Sequence, residues 1–221
     1  MYDLVIRNGT VVDGSGMPRY RADVGITGNR IATIGRIHER GKEEIDAEGH
    51  VVTPGFIDGH THMDAHIFWD PLGSCACWHG ITSVVMGNCG FTLAPGTDAQ
   101  RALILKNIID AEDIPAPAIE AAVRWSWTSF RDYLAVIDKL PKAINYTPHI
   151  GHSALRTHVM GERAFGEKCT PADLQAMDKH LLDALDAGAI GFSTSKNEGH
   201  RTPDGGHVAS HYADWEEIRH L

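Results

Sequence analysis

Over residues 1–53 the apolar positions come in short β-branched runs, each ending at a two-residue turn signal. Leu4, Val5 and Ile6 precede Asn8-Gly9, and Thr10, Val11 and Val12 follow it, which predicts a hairpin. Residues 24–27 and 30–34 flank Gly28-Asn29, a pair that tolerates the positive φ of a tight turn. Residues 45–47 and 50–52 flank Glu48-Gly49 in the same way. Three turn-separated strand pairs predict a small β-sandwich domain over residues 1–53.

After Pro54 the rhythm changes to strand–helix alternation, the signature of βα units and a parallel sheet. Strands are expected at about residues 55–62, 83–87, 144–150 and 189–193, short apolar runs of the kind that buried parallel strands show. Helices are expected over residues 98–110, 129–140 and 171–187, with a last one beginning near Ala213. The helix at 171–187 has the fullest signals: Thr170 as N-cap, Pro171 at the first helical position, Asp173 at the third, and Gly188 as stop. Its apolar positions Leu174, Met177, Leu181, Leu182 and Leu185 recur at helical spacing. Residues 112–127, with Pro115 and Pro117, read as irregular. The fold class is therefore α/β: a partial (β/α)8 TIM-type barrel of about four βα units over residues 54–221, behind the small sandwich. A closed barrel takes eight such units and about 250 residues, so the expectation is a truncated, N-terminal half.

Composition changes this picture little. With 43% hydrophobic and 22% charged residues the chain is ordinary for a globular protein. A formal charge of -9 argues against a nucleic-acid partner, which needs a clustered basic surface. No apolar run approaches the roughly 20 residues that span a bilayer, and MYDLVIRNG lacks a basic and then apolar leader. The expectation is no membrane and a cytoplasmic location. Cys75, Cys77, Cys89 and Cys169 form no C-x-x-C pair and do not read as a disulfide framework.

The chemistry is concentrated in TPGFIDGHTHMD, residues 53–64. On an extended strand, side chains at i and i+2 share a face, so His60 and His62 can share one metal ion, with Asp58 a step further back. Imidazole nitrogen suits zinc and its neighbours. Cys89, in Gly87-Asn88-Cys89-Gly90, follows the second strand after one helical crossover, so the spacing lets its thiolate converge on the two histidines. Asp58 and Asp64 are the nearest carboxylates and are expected to orient the imidazoles.

TPGFIDGHTHMD resembles the first barrel-strand signature of the amidohydrolase superfamily of metal-dependent hydrolases. GITSVVMGNCGFTLAP, residues 80–95, resembles more narrowly its N-acyl-D-amino-acid deacylase branch, where a cysteine after the second strand is a metal ligand. The resemblance runs from Asp3 to the last residue but covers only the first half or so of such an enzyme. It implies His60, His62 and Cys89 as ligands of one tight Zn2+ ion, with a second, weaker ion as an option. It further implies hydrolysis of the linear amide of a small N-acyl amino acid by metal-activated water. Arg156 at the barrel rim would hold a substrate carboxylate, and Ser193 would touch substrate. In that branch further histidine ligands come from strands five and six and the catalytic aspartate from strand eight, positions beyond residue 221, so the 221 residues alone are expected to be catalytically incomplete. The alternative is a cyclic-amide hydrolase of hydantoinase or dihydroorotase type, in which Lys196 would be carbamylated and bridge two ions.

Overall fold

A ten-residue strand, β1 (Tyr2–Val11), organises the N-terminal part of the computed structural model, which describes residues 1–221. The chain falls into two units, Met1–Gly55 and Phe56–Leu221. In the first, β1 pairs antiparallel with β2 (Tyr20–Thr27), and β2 turns at Gly28-Asn29 into antiparallel β3 (Arg30–Gly35). On its other edge β1 pairs in parallel with β4 (Gly41–Asp46) and β5 (Val51–Val52). These strands make one five-stranded sheet, where two facing layers were expected.

Asn8-Gly9 is also not a hairpin turn. It lies inside β1, where the register to β2 shifts between Ile6 and Gly9 and Asn8 takes φ +59°. The Asn8 amide donates to Asp23 Oδ1 (2.9 Å) and its side chain to Asp46 Oδ1 (3.0 Å), so neighbouring strands satisfy the bulge. Because β1 continues, Thr10 and Val11 reach Val51 and Val52, and Val5, Val11 and Val24 are buried together with Ile37. The Glu48-Gly49 signal likewise joins two strands that each pair with β1, not with each other.

In the second unit β6 (Phe56–Asp58), β7 (Ile81–Met86) and β8 (Asn145–Pro148) form a parallel sheet in that order. A parallel pair, β9 (Ile150–Gly151) and β10 (Phe192–Ser193), follows beyond His149. Helices fill the crossovers: α1 (Met63–His66), α2 (Ser74–Cys77), α3 (Arg101–Lys106), α4 (Ala116–Ala122), α5 (Phe130–Asp138), α6 (His152–Met160), α7 (Pro171–Ala187) and α8 (Trp215–His220). The sequence hid α4, because Pro115 and Pro117 read as breakers; here Pro115 is the N-cap and Pro117 lies in the first turn, where a missing N–H costs nothing. Helix α7 has the bounds its capping signals predict: Thr170 Oγ1 accepts from the Asp173 amide (3.2 Å) and Asp173 Oδ2 from the Thr170 amide (2.9 Å). Its apolar stripe is narrower than the spacing suggests, since Leu182 and Leu185 are exposed while Met177, Leu181 and Ala184 are buried. The core gathers Ile67, Val84, Met86, Leu93, Tyr133, Ile150, Leu155 and Met177. No helix is long and apolar enough to cross a membrane.

Helix α6 is buried almost throughout, Arg156 included at 0% exposure. The Arg156 guanidinium donates to both carboxylate oxygens of Glu217 on α8 and to the Glu167 carbonyl (2.8 Å). His152 places Nε2 2.8 Å from the same carboxylate and Nδ1 2.8 Å from Thr194 Oγ1. The expectation that Arg156 holds a substrate at the rim is therefore corrected: its charge is spent on an internal partner 61 residues away. Burial pushes the Glu217 carboxyl up, but the hydrogen bonds from His152 and Arg156 outweigh it and hold it down at about 2.

A depressed carboxyl adds stability above its unfolded value, which is lost as pH falls through the folded one. Arg156→Met should therefore lower the unfolding free energy by about 3–5 kcal/mol at neutral pH, the cost of stranding a buried charge. Urea melts of the two proteins should converge as the pH is lowered from about 4.3, the ordinary glutamate value, towards 2. A variant as stable as the parent at pH 7 would refute this role.

Candidate metal centre

Strand β6 stops at Asp58, so His60 and His62 lie just past the strand end instead of on it, and His62 is the N-cap residue of α1. Thr61 holds this segment against β7, donating both its amide (2.9 Å) and its hydroxyl (2.8 Å) to the Val85 carbonyl. The imidazoles stay neighbours, with centroids 5.3 Å apart at 64°.

Cys89 arrives from the other side, on a tight turn over residues 88–90 after β7. Gly87 has φ +76°, and a Cβ there would meet the His149 carbonyl oxygen at 2.4 Å, so only glycine fits. Cys89 itself takes φ +57°, a left-handed conformation that non-glycine residues rarely hold. Five hydrogen bonds secure the turn. Asp64 Oδ2 accepts from the Gly87 amide (2.9 Å), and Asn88 Nδ2 donates to the Thr61 (3.2 Å) and Val85 (3.0 Å) carbonyls. Ser193 Oγ, on β10, accepts from the Gly90 amide (3.0 Å) and donates to the Gly87 carbonyl. A Cβ on Gly151 would lie 2.6 Å from the Gly90 carbonyl, so that strand can approach the turn only as glycine.

Cys89 Sγ thereby sits 3.4 Å from His60 Nε2, and one donor atom from each of His60, His62 and Cys89 lies within 4.8 Å of the others. With Zn–S near 2.3 Å and Zn–N near 2.0 Å, two ligands of a tetrahedral ion lie roughly 3.5 Å apart. The sulfur–imidazole distance fits such an ion, and His62 Nδ1 is buried without a hydrogen-bond partner.

The remaining expected residues take different roles. Asp58 Oδ1 accepts from the His60 backbone amide (3.1 Å), so it steadies the turn and touches neither ring. Asp64 supports Gly87 in place of an imidazole, because α1 carries it inward to 4% exposure. Ser193 is committed to the cysteine turn. Lys196 donates to the Ala213 carbonyl (2.5 Å), so its Nζ is already engaged where a carbamate bridge would need a free amine.

Two residues escaped the sequence reading. Glu112 lies 3.3 Å from His62 Nε2, and Glu112 and His200 form a second donor group with Cys89. Both sit on loops, where no periodicity announces a side chain. Burial, helped by His60 and His200, pulls His62 down to about 4, and burial with Asp113 pushes Glu112 up to about 7. The His62–Glu112 contact is thus not an ion pair at neutral pH, and His62 is in the unprotonated form that a metal takes. Burial also pushes Asp64 up to about 7, and burial with Glu112 raises the Cys89 thiol.

Two outcomes follow for an ion held by these donors. Since the raised thiol must lose its proton to ligate, zinc affinity should increase with pH and binding should release a proton, read by calorimetry in buffers of different ionisation heat. Ser193→Ala removes both bonds that frame the cysteine turn, and chelator competition should show a roughly 10–100-fold loss of zinc affinity with an unchanged circular dichroism spectrum. Unchanged affinity would mean the turn keeps its shape unaided.

Residues 43–214 match the Amidohydrolase family. The N-acyl-D-aspartate deacylase of Alcaligenes xylosoxydans xylosoxydans is 36% identical over 195 residues, which take in 87% of this chain and 36% of that protein. A structure of D-aminoacylase, solved to study its binuclear metal centre, superposes with TM-score 0.79 and 32% identity over 100% of this chain and 42% of its own. The N-acyl-D-glutamate deacylase from Bordetella bronchiseptica, complexed with zinc and a phosphonate mimic of the tetrahedral intermediate, gives TM-score 0.77 and 34% identity over the same shares. The chain therefore spans 36% to 42% of the length of these relatives. With the family pattern running through most of its length and a mixed α/β fold shared with solved members, the chain belongs to the amidohydrolase family.

Proposed function

We propose that these residues form the metal-gripping part of an N-acyl-D-amino-acid deacylase, a hydrolase of linear amides built on a (β/α)8-type barrel. The observation that carries this is the left-handed cysteine turn, which sets Cys89 Sγ 3.4 Å from His60 Nε2 beside His62. The deacylase relatives support the substrate class, a small N-acyl amino acid, and zinc as the ion; one ion held tightly and a second more weakly is our own assignment. A bound zinc ion supplies an acidified water and a polarised amide carbonyl.

The chain's own residues prepare for that chemistry. His62 is kept neutral and Cys89 is placed so that losing its proton completes the donor set. Asp58 fixes the His60 backbone, while Asp64, Asn88 and Ser193 fix the cysteine turn, so little has to be reordered when an ion arrives. Transfer of a proton to the leaving amine needs a carboxylate or imidazole within hydrogen-bond reach of it, and we assign that group to the part of such an enzyme beyond residue 221. A cytoplasmic setting would keep the Cys89 thiol reduced.

The test is direct. After dialysis against zinc and a weak chelator, the 221-residue protein should retain one ion per chain, and Cys89→Ala should lose it. Incubated with N-acetyl-D-aspartate or N-acetyl-D-glutamate, it should release free amino acid no faster than buffer. Failure to retain zinc would overturn the metal assignment, and D-selective turnover by this chain would overturn the assignment of proton transfer to other residues.

A further inference from the structure

A second group of donors stands apart from the cysteine turn, on the loop that follows β10. Glu198, His207 and His211 each bring one donor atom within 4.8 Å of the others. His207 Nε2 lies 3.5 Å and His211 Nε2 3.9 Å from the two oxygens of the Glu198 carboxylate. The two imidazoles are stacked, with centroids 3.8 Å apart at 8°. Both Nδ1 atoms are buried without a hydrogen-bond partner, so both rings direct their polar capacity to the same carboxylate.

We propose that Glu198, His207 and His211 form a second divalent transition-metal site, of the two-imidazole, one-carboxylate type that suits zinc. The backbone beneath His211 is already fixed. The Ala209 amide donates to Asn107 Oδ1 (2.9 Å), the Ser210 amide to Ser153 Oγ (3.1 Å), and the Ser210 hydroxyl to the Ser195 carbonyl (2.8 Å). Glu198 is exposed and free to close on an ion, its other neighbour being Arg201 at 4.0 Å. One ion on both rings needs them to splay from their parallel stack, which is a side-chain rotation. Neither Nδ1–H finds an acceptor, so this site should hold its ion more weakly than the thiolate centre and lose it to the weak chelator used above. The same loop carries His200 to the Cys89 group, so an ion here would also steady that histidine.

This site stands independently of the first, and cobalt separates the two. In a His60→Ala, His62→Ala, Cys89→Ala variant, one Co2+ should still bind, with visible d–d absorption but no thiolate charge-transfer band. Adding His207→Gln and His211→Gln should abolish that binding, and Glu198→Gln should weaken it at least tenfold. Where the triple variant fails to fold by circular dichroism, the assignment is read in the otherwise unaltered chain. There Glu198→Gln should remove only the absorption component that lacks charge transfer. Cobalt binding unaffected by His207→Gln and His211→Gln, or by Glu198→Gln in the unaltered chain, would overturn the proposal. So would the absence of any binding to a folded triple variant at millimolar metal.

Discussion

The left-handed turn at Cys89 is the constraint on which the candidate centre depends. A non-glycine residue in that region costs of order 1–3 kcal/mol and persists only where its surroundings over-determine it. Here Asp64 holds Gly87, Asn88 ties the turn to Thr61 and Val85, and Ser193 grips it at both ends. A relaxed backbone at this position would carry the sulfur away from His60. Strain of this kind is a mark of function when something needs the side chain where the strain puts it, and a thiol 3.4 Å from an imidazole nitrogen meets that condition.

The parts of this arrangement that were legible in the sequence are those whose causes are local. Helix α7 obeys its capping box because Thr170 and Asp173 satisfy each other across three residues. The H-x-H pair and the cysteine between glycines also announce themselves, since the residue types are unusual and the spacing fits one crossover. What could not be read depends on partners far away. Asn8-Gly9 is a hairpin signal on its own, yet Asp23 and Asp46 convert it into a bulge inside a longer strand. Arg156 looked available to a substrate because nothing near it in sequence reveals Glu217 on the last helix. Glu112 reaches His62 from a loop, where neither periodicity nor motif marks it.

Burial sets the charge state of much of the histidine complement. Burial pulls His62, His149, His152, His158, His180, His200 and His211 below the ordinary imidazole value. Each contributes stability that is present above about 6.5, the unfolded value, and is lost as the pH falls below it. The fold is therefore biased against acid, and at neutral pH it holds these rings in the form that binds metal ions. Glu112 at about 7 and the raised Cys89 thiol both hold protons that an arriving cation would help to displace.

One segment, residues 193–211, joins these features. Ser193 grips the cysteine turn, Thr194 bonds His152 of the buried Glu217 network, and Ser195 positions His200. Glu198, His207 and His211 lie further along the same stretch. A side chain at either end is thus connected to the thiol through backbone and hydrogen bonds that have few alternatives, since Gly87 and Gly151 pack too closely for a shifted register. Whatever orders this segment orders the sulfur's surroundings as well. The reach of a substitution here is therefore set by how many of these bonds it breaks, more than by its distance from Cys89.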